Sequence, residues 1–208
     1  MYLGLLIIAA AYLIGSMPIG LVVGLAFYGV DIREYGSGNL GATNAYRTLG
    51  PVGGIVVFAG DVAKGALPVL AAVALVAPEP ATLRSALLVL TGLAAIAGHN
   101  WSLYLRFRGG KGVSTAAGVL LVLFPFITAI LFAIWVAVLV ATRYVSLASM
   151  AIALTFPALV VILYHGNAIY VGFSLIASAV VLFKHRSNIG RLIGGTEPKI
   201  WSAKPGER

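Results

Sequence analysis

Residues 113–141 read VSTAAGVLLVLFPFITAILFAIWVAVLVA, 29 residues without a charge and with one proline, Pro125, near the middle. This stretch decides the fold. It is either one overlong tilted helix or two shorter helices hinged at the proline, which cannot supply an amide hydrogen to a helix interior. The choice between them reverses the side of the membrane on which everything after it lies.

The surrounding composition makes a membrane the only setting for such a stretch. The chain has 208 residues, mean hydropathy +1.03, 10% charged residues and no cysteine. It reads as a polytopic membrane protein. The lack of cysteine rules out a disulfide framework, a thiolate nucleophile and a Cys-based metal site. The formal charge of +8 is scattered beside apolar runs, with no aromatic-basic platform for nucleic acid. Membrane topology accounts for it better. The apolar N-terminus lacks a basic leader and continues to about Tyr28, so it reads as a first span and not a signal peptide.

Working outward, spans are expected at residues 2–28, 52–77, 85–105, 146–164 and 168–183, in addition to one or two within 113–141. Counting charge decides between one and two. If 113–141 is a hairpin, Arg33, Arg47, Arg106, Arg108, Lys111, Arg143, Lys184, Arg186, Arg191, Lys199, Lys204 and Arg208 share one face, with only Arg84 opposite and Lys64 inside a span. A single span would move Arg143 and the basic tail across. The positive-inside bias therefore predicts an all-α protein of seven spans, N-terminus out and C-terminus in, forming a single domain over residues 1–208.

With that topology, three polar, glycine-bearing segments fall on the cytoplasmic face. The first is GSGNLGATNAYR, residues 36–47. Ser37, Gly38 and Asn39 look like the start of a short helix over residues 40–48, ended by Gly50 and Pro51. On such a helix Asn39, Thr43 and Arg47 share a face, a seat for a phosphate or carboxylate. The bland alternative is a capped interfacial helix with a solvated arginine. The second is HNWSLYLRFRGGKGVST, residues 99–115, where Gly109, Gly110 and Gly112 bracket Lys111 and could turn amides around an anion. It is not a Walker A loop: Leu105 stands where the first glycine is needed, and Gly112, not Ser or Thr, follows Lys111. The alternative is a basic turn between spans.

His99 lies seven residues before Arg106, about 10 Å inside its span if the helix continues. It either faces a polar cavity or is a neutral ring bonded across helices. Asp61 and Lys64, one turn apart, read first as a structural pair, with a site role for Lys64 the lesser reading. Ser146 and Ser149 either cap the helix they open or reach the site. The third segment, KHRSNIGRLIGGTE at 184–197, sets His185 and Asn188 three residues apart beside Arg186 and Arg191; a snorkelling basic helix end is the alternative.

At these residues the chain resembles a known family, the bacterial membrane-integral acyl-phosphate:glycerol-3-phosphate acyltransferases (PlsY). The resemblance rests on GSGNLGATNAYR at 36–47, GHNWSLYLRFRGGKGVST at 98–115 and KHRSNIGRLIGG at 184–195. It implies transfer of a fatty acyl group from acyl phosphate to the 1-hydroxyl of sn-glycerol 3-phosphate, giving lysophosphatidic acid and phosphate, with no cofactor and no metal. It implies a bacterial inner (cytoplasmic) membrane protein with its site on the cytoplasmic side, in contact with membrane lipid and, transiently, with the enzyme that supplies acyl phosphate.

The implied substrate contacts are Ser37, Asn39, Thr43, Asn44, Arg47, Gly109, Gly110, Lys111, Ser146, His185 and Asn188. Arg47, Lys111 and His185 are the catalytic candidates. The base that takes the hydroxyl proton stays open between His185, His99 and the leaving phosphate. No histidine has an aspartate four residues on, since Leu103, Ile169 and Ile189 stand there, which favours the substrate phosphate. The competing class is a transporter or flippase for a phosphorylated metabolite. The crowding of polar residues at one interface, not mid-bilayer, speaks against it.

Overall fold

The computed structural model describes residues 2–76 and 78–200, and every regular element among them is helical. The chain runs through α1 (Tyr2–Ser16), α2 (Ile19–Tyr28), α3 (Ala42–Leu75), α4 (Ala81–Asn100), a 3-10 turn at Leu103–Leu105, α5 (Val113–Leu123), α6 (Pro125–Thr142), α7 (Val145–Tyr164), α8 (Ala168–Lys184) and α9 (Arg186–Ile193). Charges at residues 201–208, Lys204 and Arg208 among them, lie outside the described residues.

The deciding stretch is broken. Phe124 leaves helical geometry at φ −141°, as a residue before proline tends to, and Pro125 opens α6. Four helices are long and apolar enough to cross a bilayer, and the bent pairs α1–α2 and α8–α9 raise the number to six. The seventh segment, α5, has 11 residues. Its rise of about 16 Å is half of a hydrocarbon core. Length alone therefore does not establish seven crossings. Where the sequence suggests one domain, packing divides the chain at the same proline into two compact units, one ending at Phe124 and one beginning at Pro125.

In the N-terminal unit α1 lies along α4, and α3 along α5. Both crossings are backbone to backbone. A Cβ at Gly15 would strike the Ala95 carbonyl, and one at Gly118 the Val62 carbonyl. Between helices in lipid, small residues give the close packing that the hydrophobic effect cannot supply. Pro18 bends α1 and α2 by 42°. The break strips the Ser16 and Met17 carbonyls of their ordinary helical donors. Ser102 Oγ donates to the first at 2.6 Å and Lys64 Nζ to the second at 2.8 Å, as groups at membrane depth require.

The helix expected over residues 40–48 begins at Ala42, and its cap is Gly41 with no side-chain acceptor. Ser37 and Asn39 do not cap it. Asn39 Oδ1 instead accepts from Gly41 N, closing a local turn ahead of the helix. Asn39 is thus off the face shared by Thr43 and Arg47. Gly50, at φ 81°, does end the regular helix, but Pro51 starts the next one immediately.

The third span also differs from the expectation. It stops at Asn100, because Trp101 leaves helical geometry at φ −134° and the chain reverses through the 3-10 turn with Arg106 and Phe107 left-handed. His99 therefore sits in the last turn of α4, not two turns inside it.

In the C-terminal unit α6 packs on α7 and α7 on α8, where Phe156 and Phe173 meet edge to face at 5.9 Å. Asn167 caps α8 by accepting from the amides of Ile169 and Tyr170. The chain then bends by 54° into α9 at His185.

Candidate active site

The first motif forms an ordered loop in front of α3. Asn44 is buried and organises it: its Oδ1 accepts from Ser37 N at 2.8 Å and from Ser37 Oγ at 3.2 Å, while its Nδ2 donates to the carbonyls of Ile32 at 2.8 Å and Tyr35 at 3.2 Å. Ile32 and Leu40, packed with Val23, Ala45 and Val57, pin the loop to α2 and α3. Ser37 is thereby held exposed at the rim. Thr43 and Arg47, one turn apart on α3, are half-buried.

The second motif is seated on the end of α4. Gly110 N–H donates to the His99 carbonyl at 3.1 Å, so this amide is not aimed at a ligand, contrary to the sequence expectation for Gly110. Gly109 and Gly110 are required because a Cβ on either would run into His99, into its carbonyl and its Nε2 respectively. Gly112, at φ 78°, caps α5 and lies against the Asn100 carboxamide. Lys111 projects half-buried from this turn. The two motifs meet around a small cavity lined by Leu40, Asp61, Lys64, His99, Ser102 and Gly110, among others. Asp61 and Lys64 pair at 2.9 Å as the spacing predicts, both deeply buried.

In the C-terminal unit the sequence candidates are joined by a residue the sequence reading passed over. Glu197 Oε1 accepts from Ser146 Oγ at 2.6 Å and from Asn188 Nδ2 at 2.7 Å, and Oε2 accepts from Arg191 Nε at 2.7 Å. Burial pushes the Glu197 carboxyl up, but these three donors and the Arg191 charge outweigh it and hold the group below its ordinary value. Its one signal in the sequence is that it is the only acidic residue between 184 and 200. Ser146 therefore does not cap α7; it ties α7 to the segment after α9.

His185, almost fully buried, sets Nδ1 2.7 Å from the Val181 carbonyl. A carbonyl only accepts, so Nδ1 carries a hydrogen and donates it there. Among the described residues no three His, Cys, Asp or Glu side chains gather as a metal would need. The N-terminal unit by itself offers cations and hydroxyls at a glycine-lined rim, groups that suit a phosphorylated substrate.

Known proteins agree with this chemistry. A family profile described as Glycerol-3-phosphate acyltransferase matches residues 5–195. A glycerol-3-phosphate acyltransferase 2 of Moorella thermoacetica is 48% identical over 94% of this chain and 97% of its own. A glycerol-3-phosphate acyltransferase of Bacillus cytotoxicus is 44% identical over 96% of each. Among solved structures, the glycerol 3-phosphate form of PlsY (YgiH), an integral membrane glycerol 3-phosphate acyltransferase, superposes with a TM-score of 0.86 at 36% identity over 94% of both chains. Its lysophosphatidic acid form gives 0.84 at 35%. A match over nearly the whole chain, in a range that includes the rim and the glycine turn, places this all-helical membrane protein in the glycerol-3-phosphate acyltransferase family.

Proposed function

We propose that this chain acylates glycerol 3-phosphate at its 1-hydroxyl, with acyl phosphate as donor, releasing lysophosphatidic acid and inorganic phosphate. The observation that carries the reading is the near-full-length similarity to an integral membrane acyltransferase solved in forms with glycerol 3-phosphate and with lysophosphatidic acid. An enzyme, not a transporter, is what such kinship supports.

The hydroxyl oxygen attacks the acyl carbonyl carbon. The carbon–oxygen bond to phosphate breaks, and the hydroxyl proton leaves on the departing phosphate, so no covalent enzyme intermediate is required. Arg47 and Lys111 supply countercharge to the two phosphates. Ser37, Asn39 and Thr43 contribute polar contacts from the rim, and the Gly109 backbone allows close approach. Asn44 and Gly110 act one step back, holding the loop and the glycine turn in place. Ser146 and Asn188 present their polar groups where Glu197 sets them, and we assign His185 to substrate contact from the C-terminal unit, with the hydroxyl proton left to the phosphate. The positive-inside count supports seven crossings with the N-terminus out, which puts the reaction on the cytoplasmic side of the inner membrane, against lipid and in reach of an enzyme delivering acyl phosphate.

Purified protein in lipid nanodiscs, given palmitoyl phosphate and labelled glycerol 3-phosphate, should form lysophosphatidic acid and phosphate one to one. Activity only with acyl-CoA would remove the donor assignment. Label accumulating inside proteoliposomes without product would instead indicate transport.

A further inference from the structure

Asp61, Lys64 and His99 are 1%, 5% and 6% exposed, and no step above uses them. Lys64 is already satisfied, by Asp61 Oδ1 at 2.9 Å and the Met17 carbonyl at 2.8 Å. A pair serving only to neutralise itself would need no third ionisable group. Yet His99 Nδ1 stands 3.5 Å from the same Asp61 oxygen, a close approach without a formed hydrogen bond, and Asp61 Oδ2 makes none either.

The other edge of the imidazole shows what the contact is for. Gly110 packs so tightly on His99 Nε2 that no side chain fits between them, and its amide is bonded to the His99 carbonyl. The ring is wedged between a buried carboxylate on α3 and the turn that carries Lys111. Close-packed interiors transmit such displacements, and an error near 1 Å in a substrate-positioning group can cost on the order of a hundredfold in rate.

We propose that Asp61 is a positioning residue for acyl transfer: acting through His99, it sets where residues 109–112 sit, and with them the Lys111 ammonium against a substrate phosphate. The inference rests on the reading of Lys111 as a phosphate ligand.

A double-mutant cycle in nanodiscs tests it, combining Asp61→Asn with Lys111→Ala and measuring kcat and both KM values. His99→Gln runs in parallel, because it leaves the Asp61–Lys64 pair intact and carries the test if Asp61→Asn does not insert. Each change should lower kcat/KM by about tenfold or more in the parent, but by less than about twofold once Lys111 is alanine. The loss should appear in the KM of whichever phosphorylated substrate Lys111→Ala weakens, with the other KM within about twofold. Equal losses in both backgrounds, or a fall in kcat alone that tracks the fraction of folded protein, would overturn the proposal and leave the function standing. If Lys111→Ala is itself fully active, the phosphate-ligand reading fails and the proposal fails with it.

Discussion

Glu197 offers the sharpest test of the C-terminal unit, because one carboxylate there satisfies three donors. Glu197→Ala removes the acceptor of Ser146 and Asn188, which are 5% and 4% exposed, and of the more exposed Arg191. A buried donor left unsatisfied costs about 1–3 kcal/mol. The Arg191 pair, part-exposed, adds about 0–1 kcal/mol. Since Ser146 and Asn188 share one oxygen, the two losses overlap, and about 2–5 kcal/mol is the expected destabilisation.

Glu197→Gln separates the donors. Its remaining carbonyl oxygen can still accept from Ser146 and Asn188, while its amide faces Arg191, so only about 1 kcal/mol should be lost. Thermal unfolding in detergent, followed by intrinsic fluorescence, reads both, with acyltransfer measured on the same samples. The alanine variant should unfold well below the parent and be nearly inactive; the glutamine variant should stay close to the parent. Equal damage from both, or a parent-like alanine variant, would refute the account. The pH dependence follows the same bonds. With the folded carboxyl held below its ordinary value, this stabilisation is complete above about pH 4.3 and is lost as pH falls through the lower folded value. The glutamine variant should lack that acid-side loss.

Arg47→Ala and Lys111→Ala should each cost about two orders of magnitude in kcat/KM, or about 3 kcal/mol of charge-assisted binding; near-parent rates in correctly inserted protein would remove them from the site. With the leaving phosphate as base, His185→Ala should lower kcat by less than about tenfold, whereas a loss of about 10²–10⁴-fold would return the proton to His185. Gly110→Ala should abolish activity and lower thermal stability, since its methyl group has nowhere to go against the His99 ring; a stable, active variant would show that the turn does not rest on His99. Cysteines introduced at Asp31 and at Arg84 should react with impermeant maleimide from opposite faces of right-side-out vesicles; labelling from one face would undo the charge-based topology.

The sequence by itself determined the all-helical membrane class, the break at Pro125, the Asp61–Lys64 pair and the segments that carry the chemistry. These depend on local properties: hydropathy over a span, the missing amide of proline, and the three-residue spacing of a helical turn. Tertiary structure decided what each polar side chain is spent on. Asn44 looks like a ligand in the sequence, but the Ile32 and Tyr35 carbonyls and Ser37 use it fully. Gly110 looks like an open amide until His99 is seen beneath it, and Glu197 looks like a stray acid in a basic tail until Ser146, 51 residues away, closes on it. A hydrogen bond across such separations has no periodicity to betray it, because its partners are chosen by where helices cross, and the crossings depend on small residues packed on distant backbone carbonyls.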